Sequence, residues 1–287
     1  MKRLLFIYLI MLCCMSHGVS ARTACHYTSE DSLFVVNALK DARQQKGDVC
    51  WTLFFARKLI GRPYVAHTLE LFPLNEQLIV NTRQLDCTTL VETATALALC
   101  AEHRLTSFAD YCEMLQKLRY RNGKVNGYPS RLHYFSQWID DNSKMGLVAE
   151  VQREKAPFTA VQTLNISYMS THPAAYASLA NQPAYVGEIA KQEKQLTGQR
   201  FRYIPKAQVR NTADLRSAVS DGDIIAITCS KAGLDIAHVG FAVWHEDGLH
   251  LLNASSIHKK VVEEPMTLGE YLKKHVSHTG IRVVKLK

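Results

Sequence analysis

The clearest periodic pattern of apolar residues in the chain lies between residues 87 and 103. The apolar residues that share one face of a helix there are Leu90, Val91, Ala94, Leu97 and Ala98. Asp86 stands directly before this segment, and aspartate is a favoured residue at the N-cap of a helix. The sequence therefore predicts a helix that begins at Cys87.

Weaker patterns predict the other elements. Helices are expected at residues 31–46, 49–60, 107–119, 132–139 and 174–195. Strands are expected at residues 78–80, 162–169, 224–228, 239–243, 249–252 and 281–284. Because helices dominate the first half and strands the end, the order is typical of an α+β fold rather than of alternating βαβ units. We find no internal repeat or linker, and we expect one domain.

The composition excludes several classes of protein. The 287 residues are 47% hydrophobic and 21% charged, which is ordinary for a globular protein and unlike a disordered, collagen-like or low-complexity chain. The net charge of +8 comes from basic residues spread along the sequence. Since charge is the only feature that would favour nucleic acid, we expect no nucleic-acid partner.

The N-terminus has the pattern of a cleaved signal peptide. Lys2 and Arg3 precede an apolar run at residues 4–15, and Val19-Ser20-Ala21 places small residues at a cleavage site. We expect residues 1–21 to be removed and the protein to be exported to the periplasm or outside the cell. An uncleaved anchor helix is the alternative; lipidation at Cys13 or Cys14 fits poorly, because neither residue follows a suitable one. No later apolar run is long enough to cross a bilayer.

Cleavage also changes the count of charges and cysteines. Losing Lys2 and Arg3 lowers the net charge from +8 to +6, and losing Cys13 and Cys14 leaves six of the eight cysteines. The remaining cysteines are Cys25, Cys50, Cys87, Cys100, Cys112 and Cys229. None forms a C-x-x-C pair, which argues against a zinc knuckle or a thioredoxin-type site. A bridge such as Cys25 to Cys50 can form in an oxidising compartment, but the pairing stays open.

Three residues form a candidate catalytic set. Cys87 falls in the first turn of the predicted helix, where exposed N–H groups and the helix dipole favour a thiolate. His238, on a predicted strand, is a suitable base, and Asn253 lies one hairpin further on, where it can orient the imidazole. A lone helical Cys or strand His is usually a core residue, but the combination favours a Cys-His-polar site of the papain type.

Four segments resemble the signatures of NlpC-type cell-wall hydrolases, which are secreted cysteine peptidases with a circularly permuted papain-like fold. These segments are Gly61-Arg62-Pro63-Tyr64, Leu85-Asp86-Cys87-Thr88-Thr89-Leu90-Val91, His238-Val239-Gly240 and Leu252-Asn253-Ala254-Ser255. Two departures occur: Thr89 replaces a glycine, and Asn253 replaces a histidine. Asn253 is chemically acceptable there, since its amide oxygen can accept the Nδ1 proton of the base.

Two further segments, 128–135 and 233–240, resemble a branch of that superfamily described as N-acetylmuramoyl-L-alanine amidases acting on anhydro-muropeptides. The resemblance implies N-terminal helices packed on a C-terminal antiparallel sheet or barrel, within one domain of residues 22–287. It also implies a family-specific insertion at about 122–208. The implied substrate is a peptidoglycan fragment, cut between N-acetylmuramic acid, in its 1,6-anhydro form, and L-Ala. A basic surface suits such a wall-derived partner.

The resemblance also suggests roles for individual residues. Cys87 attacks the amide carbonyl, His238 protonates the leaving amine, and Asn253 orients His238. The Cys87 N–H and the Tyr64 hydroxyl would stabilise the oxyanion. Four further residues are expected to contact substrate, with Asp86 and Arg131 binding polar groups and Tyr134 and Trp138 forming apolar walls for sugar. Asp86 can instead serve only as a helix cap, and the two aromatic residues can instead belong to the core.

Other functions remain as alternatives. One is a γ-D-glutamyl-diamino acid endopeptidase of the same superfamily, and another is a non-catalytic wall-binding module. A zinc amidase would use ligands from the set His67, Glu70, His245, His250 and His258, but the chain contains no H-E-x-x-H motif. We therefore expect no metal and no other cofactor, and we expect a monomer.

Overall fold

The helices lie mostly in the first two thirds of the chain. The structure is a computed structural model that describes residues 25–287, so the expected signal peptide lies outside the described residues. The helices are α1 (Ser29–Ala42), α2 (Trp51–Lys58), α3 (Cys87–Glu102), α4 (Phe108–Arg119), α5 (Phe135–Lys144), α6 (Tyr168–Thr171), α7 (Ala177–Asn181), α8 (Ala184–Leu196), α9 (Ala213–Ala218) and α10 (Leu268–Lys274).

The strands form one large antiparallel sheet and one small parallel pair. In chain order they are β1 (Cys25–His26), β2 (Leu78–Ile79), β3 (Val148–Glu150), β4 (Ala160–Thr163), β5 (Arg200–Pro205), β6 (Ile224–Cys229), β7 (Ile236–Trp244), β8 (Leu249–Ser255), β9 (Lys260–Glu263) and β10 (His278–Leu286). The sheet order is β4-β5-β10-β6-β7-β8-β9, with β3 also paired to β10, and β1 pairs with β2. This is a mixed α/β architecture with a large antiparallel sheet, which agrees with the α+β expectation.

The sheet is buried on both faces. Along β6, Ile224 and Ala226 belong to the core shared with the N-terminal helices, whereas Ile225 and Ile227 belong to a second core with α9 and α10. This alternation follows from the two-residue period of a strand. Helix α3 packs against β7 and β8 on the first face. That packing fixes the start of α3 relative to two central strands.

A third apolar cluster lies apart from these two cores. It is formed by Tyr128, Tyr134, Leu164, Ile166, Met169, Leu179, Ile189 and Leu196. All of these residues fall within the segment 122–208 that the resemblance implied to be an insertion. The cluster gives α6, α7 and α8 a packing centre of their own.

Several predicted elements differ from the observed ones. The expected helix at 174–195 is divided into short pieces, because Pro183 cannot continue α7 and instead precedes α8. The expected strand at 162–169 ends at Thr163, and α6 begins at Tyr168. The sequence patterns do not predict strands β1, β3, β5 and β9 or helices α9 and α10. Within residues 25–287, no helix has both the length and the apolar character needed to span a membrane.

The cysteine geometry also departs from the suggested bridge. The Sγ atom of Cys25 lies 3.7 Å from that of Cys112 in α4. The Cys50 thiol instead lies near Thr52 and the Asp221 carbonyl. The suggested Cys25–Cys50 pairing is therefore wrong for this fold.

Candidate active site

Helix α3 begins as the sequence predicts, with Asp86 as its N-cap. The Asp86 carboxylate accepts a hydrogen bond from the backbone N–H of Thr89 at 2.8 Å, and the Thr89 hydroxyl accepts one from the backbone N–H of Asp86 at 2.9 Å. This reciprocal capping box explains why a threonine can replace the glycine of the related signatures. Cys87 is the first residue of the helix and is half-buried.

His238 lies on β7, and Asn253 lies on the adjacent antiparallel strand β8. The Nε2 atom of His238 is 3.0 Å from Oδ1 of Asn253. The expectation that Asn253 would hold Nδ1 is therefore wrong, because the Asn253 amide oxygen contacts the other ring nitrogen. Nδ1 remains as the ring nitrogen that can exchange a proton with the Cys87 sulfur.

The surroundings of His238 favour its protonated form. Burial alone lowers the pKa of a histidine, but the nearby Cys87 sulfur, the hydrogen bond to Asn253 and the charge of Glu264 together raise the pKa of His238 above its ordinary value. A histidine of this kind stabilises a thiolate as an imidazolium–thiolate pair. The three residues thus have the arrangement that nucleophilic cysteine chemistry requires.

A buried carboxylate, that of Glu264, forms a hydrogen bond with the Asn253 side chain. Asn253 is fully buried, and its Nδ2 donates to Oε1 of Glu264 at 3.1 Å. The other carboxylate oxygen of Glu264 lies 3.1 Å from Nε2 of His258. Glu264 stands in none of the sequence motifs, because it reaches the site only through the pairing of β8 and β9.

Tyr64 pairs with Leu85, two residues before Cys87, and its hydroxyl is near enough to sense the charge of Cys87. Its backbone N–H donates to the Lys259 carbonyl at 2.9 Å, and the Leu85 N–H donates to the Pro63 carbonyl at 3.0 Å. These bonds hold the Gly61–Tyr64 segment between the turn before β9 and the start of α3. Burial, followed by the charges of Cys87 and Asp86, raises the pKa of Tyr64, so its hydroxyl keeps its proton.

Tyr271, on α10, is a second site residue that the sequence did not reveal. Its ring stacks on that of His238 with centroids 6.4 Å apart. Burial, with smaller contributions from the charges of Glu264 and Cys87, raises the pKa of Tyr271 to about 12. Tyr271 therefore places a neutral ring close to the imidazole.

A cavity of about 200 Å³ opens next to the start of α3, and its lining includes Asp86, Thr88, Glu70 and Arg131. Arg131 is 6% exposed and donates to Oε1 of Glu70 at 2.7 Å, while its Nε lies 3.5 Å from Glu76. Arg131 thus reaches the cavity, but two carboxylates already neutralise most of its charge.

Two expected substrate contacts are wrong. Trp138 is fully buried in the main core, and Tyr134 is 4% exposed, with its hydroxyl donating to Glu193 at 2.6 Å. Neither ring can form a wall for sugar, because Trp138 is packed in the main core and Tyr134 in the third apolar cluster. Asp86 lines the cavity, yet both of its hydrogen bonds to Thr89 serve the helix cap.

The histidines considered as zinc ligands have separate partners. His245 contacts Glu263, His250 contacts Asp247, and His258 contacts Glu264. In the part of the chain that the structure describes, no group of three or more His, Cys, Asp or Glu side chains is placed to hold a metal ion.

The sequence and fold also match known proteins. A family model described as AmiA-like, N-acetylmuramoyl-L-alanine amidase-like, matches residues 54–281. The chain belongs to the AmiA-like family. Membership makes it an amidase-like hydrolase and implies a peptidoglycan-related substrate. No curated protein matches the chain.

Solved structures resemble this AmiA-like chain over most of its length. An N-acetylmuramoyl-L-alanine amidase from Bacteroides uniformis is 43% identical, covers 83% of this chain and 98% of its own, and has a TM-score of 0.77. A Bacteroides fragilis protein called a xylanase is also 43% identical, covers 80% of this chain and 99% of its own, and has a TM-score of 0.75. A Legionella pneumophila protein, 23% identical, covers 90% of this chain and 94% of its own with a TM-score of 0.69, a likeness of fold alone.

Proposed function

We propose that the protein is an exported cysteine amidase that hydrolyses the amide between N-acetylmuramic acid, in its 1,6-anhydro form, and L-Ala in peptidoglycan fragments. The observation that carries this proposal is Cys87 at the start of α3 beside His238, whose Nε2 is held by Asn253 at 3.0 Å. The choice of bond is supported by the amidase name of the Bacteroides uniformis relative and by the family description.

The reaction follows from the roles of these residues. His238 takes the thiol proton at Nδ1, and the Cys87 thiolate attacks the lactyl carbonyl carbon. The Cys87 backbone N–H and the Tyr64 hydroxyl donate to the oxyanion. Collapse of this intermediate breaks the C–N bond, and the imidazolium gives its proton to the departing L-Ala amine. His238 then activates water, which hydrolyses the thioester and regenerates the thiol.

The architecture supports an NlpC-type, papain-like core. The nucleophile lies at the start of a buried helix, and the base and its orienting amide lie on adjacent antiparallel strands packed against that helix. The separate apolar cluster within 122–208 supports the view that this segment is an insertion in a single domain of residues 22–287. In this account the signal peptide takes the chain to the periplasm or outside the cell, where it acts as a monomer.

Glycoside hydrolysis, which the name of one relative suggests, has less support. That reaction needs two carboxyl groups free to act as acid and as base or nucleophile. Near Cys87, Asp86 caps α3, Glu92 pairs with Arg119 at 2.6 Å, and Glu70 pairs with Arg131. The acids of this region are therefore engaged in structural contacts.

Product analysis tests the proposal against the endopeptidase alternative. The purified protein is incubated with a defined anhydro-muropeptide and with its reducing-sugar counterpart, and the products are identified by mass spectrometry. We expect free peptide and free sugar, formed faster from the anhydro substrate. A sugar that still carries L-Ala and D-Glu would identify the γ-D-glutamyl endopeptidase instead, and equal rates on both substrates would contradict the anhydro preference.

A further inference from the structure

We propose that Glu264 is a positioning residue of the site, which fixes the orientation of the Asn253 amide and supports the positive charge of His238. This inference rests on the proposed cysteine mechanism. Glu264 makes no direct hydrogen bond to Cys87 or His238. It acts through the Asn253 side chain, which lies between Glu264 and His238.

Glu264 determines which end of the Asn253 amide faces His238. An ionised carboxylate only accepts hydrogen bonds, so the NH₂ group of Asn253 must face Oε1 of Glu264 at 3.1 Å. The amide oxygen is then forced towards His238, where Nε2 must donate. In the neutral imidazole this places the single ring proton on Nε2 and leaves Nδ1 free to accept the Cys87 proton.

Glu264 also acts on His238 through its charge. Glu264 is 2% exposed, and its negative charge is one of the contributions that raise the pKa of His238. The groups that face the Glu264 carboxylate are the amide of Asn253 and the ring of His258, at 3.1 Å. The charge of Glu264 also acts on Tyr271. His250 contacts only the backbone carbonyl of Glu264. No lysine or arginine pairs with Glu264 among the described residues, so its charge acts mainly on the histidines. The titratable groups that face His238 itself are Cys87, Tyr271 and His278.

Two substitutions separate the two roles. Glu264→Gln keeps an acceptor oxygen for Asn253 but removes the charge, whereas Glu264→Leu removes both. Without an acceptor, the Asn253 amide can turn and donate to Nε2, which would place the ring proton on Nδ1 and prevent proton transfer from Cys87. Glu263→Gln is the matched control, because Glu263 contacts His245 and Arg57 on the neighbouring side of the strand.

The experiment measures the rate of Cys87 alkylation by iodoacetamide as a function of pH, followed by mass spectrometry, together with kcat and KM on an anhydro-muropeptide. We expect Glu264→Leu to lower kcat at least about 100-fold with little change in KM, as a wrong histidine tautomer does in related triads. We expect Glu264→Gln to stay within about fivefold of the parent kcat at its optimum. In Glu264→Gln, the upper pH limit of kcat and the step of the alkylation profile that follows His238 ionisation should both move to lower pH, because the imidazolium loses a stabilising charge.

Each outcome decides the proposal. If Glu264→Leu does not fold, the shift in Glu264→Gln remains the test. The proposal would be overturned by an alkylation profile that does not shift in Glu264→Gln. It would also be overturned if kcat fell as far in Glu264→Gln as in Glu264→Leu, or if Glu263→Gln changed kcat and the profile as much as Glu264→Gln. Because alkylation needs no muropeptide, failure of this proposal can be distinguished from failure of the amidase assignment.

An independent observation points to a second site. We infer that Cys25 and Cys112, whose sulfurs lie 3.7 Å apart, form a disulfide that joins β1 to α4. A hydrogen bond from Cys112 and the charge of Arg119 lower the pKa of Cys25 despite burial, which makes Cys25 the first nucleophile. Its thiolate attacks an external disulfide oxidant and releases one thiol. Cys112 then attacks the mixed disulfide and releases the second thiol, so two electrons pass to the oxidant.

Oxidised glutathione tests this bond in the full-length protein. After equilibration and alkylation, peptide mapping should show Cys25 linked to Cys112, and reduction should lower the Tm by about 5–10 °C. In Cys112→Ser the Tm should not respond to reduction, whereas Cys50→Ser should behave like the parent. Absence of the linked peptide, or glutathione that remains attached to Cys25 in the parent, would overturn the inference.

Discussion

At the scale of single residues, Tyr64 illustrates how burial, together with neighbouring negative charges, keeps a side chain protonated. The pKa of Tyr64 is raised by burial and by the charges of Cys87 and Asp86, so the hydroxyl is a donor throughout the working range of the site. A donor aimed at the developing oxyanion contributes more in the transition state than in the bound substrate.

Replacing Tyr64 with phenylalanine tests that role. We expect Tyr64→Phe to lower kcat about 100-fold with KM nearly unchanged, as the loss of one oxyanion donor does in other acyl-transfer enzymes. Steady-state kinetics on an anhydro-muropeptide measure the change. The control is Tyr27→Phe, since the Tyr27 ring is exposed and packs on Phe108. A kcat within twofold of the parent would remove Tyr64 from the mechanism.

The sequence identified some site residues and not others for a physical reason. Cys87 and His238 stand in local patterns, at a helix start and on an apolar strand, that can be found without the fold. Glu264 and Tyr271 reach the site only through the pairing of β9 and the packing of α10, neither of which was predicted. Trp138 was misjudged because an aromatic residue in a helix has the same pattern whether it faces solvent or the core.

At the scale of elements, the junction of β7 and β8 depends on a glycine. A Cβ atom on Gly240 would lie 2.6 Å from the Leu252 carbonyl oxygen and 3.0 Å from Cβ of Asn253. The absence of a side chain therefore lets β8 approach closely enough for Asn253 to reach His238. This requirement explains the glycine of the His238-Val239-Gly240 motif.

Replacing Gly240 with alanine tests whether this position must lack a side chain. We expect Gly240→Ala to lower the free energy of unfolding by about 1–3 kcal/mol, the usual cost of overpacking, and to lower kcat by displacing Asn253. Urea unfolding and steady-state kinetics measure the two effects. Gly187→Ala, in α8, has open space around its Cβ and should be neutral or slightly stabilising. Equal behaviour of the two variants would contradict the packing argument.

The elements also show where sequence patterns are informative. Helix α3 was predicted almost to the residue because its apolar period is long and its cap is adjacent. The segment 174–195 was misassigned because helical periodicity continues through Pro183, where the backbone changes direction. Short strands such as β9 have too few residues for a period to be recognised.

At the scale of the whole molecule, Asp31 connects the first helix to the chain before α3. The carboxylate is fully buried and accepts hydrogen bonds from Thr28, from the backbone and hydroxyl of Thr82, and from Arg83. Burial alone would raise the pKa of Asp31, but these donors lower it further than burial raises it. A carboxyl whose pKa is lowered by folding stabilises the protein above its ordinary pKa and loses that contribution in acid.

The pH dependence of stability tests this contact. We expect Asp31→Asn to lower the free energy of unfolding by about 2–4 kcal/mol at neutral pH, since a buried charge-assisted network is broken. The difference from the parent should shrink below about pH 4, as the parent carboxyl becomes protonated. Asp140→Asn, which removes an exposed helix pair with Lys144, is the control. A difference that stays constant down to pH 2 would contradict the argument.

The central claim of the account is that Cys87 is the nucleophile of an amidase, and the rate of peptide release from an anhydro-muropeptide by Cys87→Ala tests it most directly. The control is Cys50→Ala, which removes an exposed thiol near the Asp221 carbonyl. We predict that Cys87→Ala falls by at least about 10⁴-fold, as the loss of a covalent nucleophile does elsewhere, while Cys50→Ala keeps the parent rate. Release by folded Cys87→Ala at the parent rate would contradict the account.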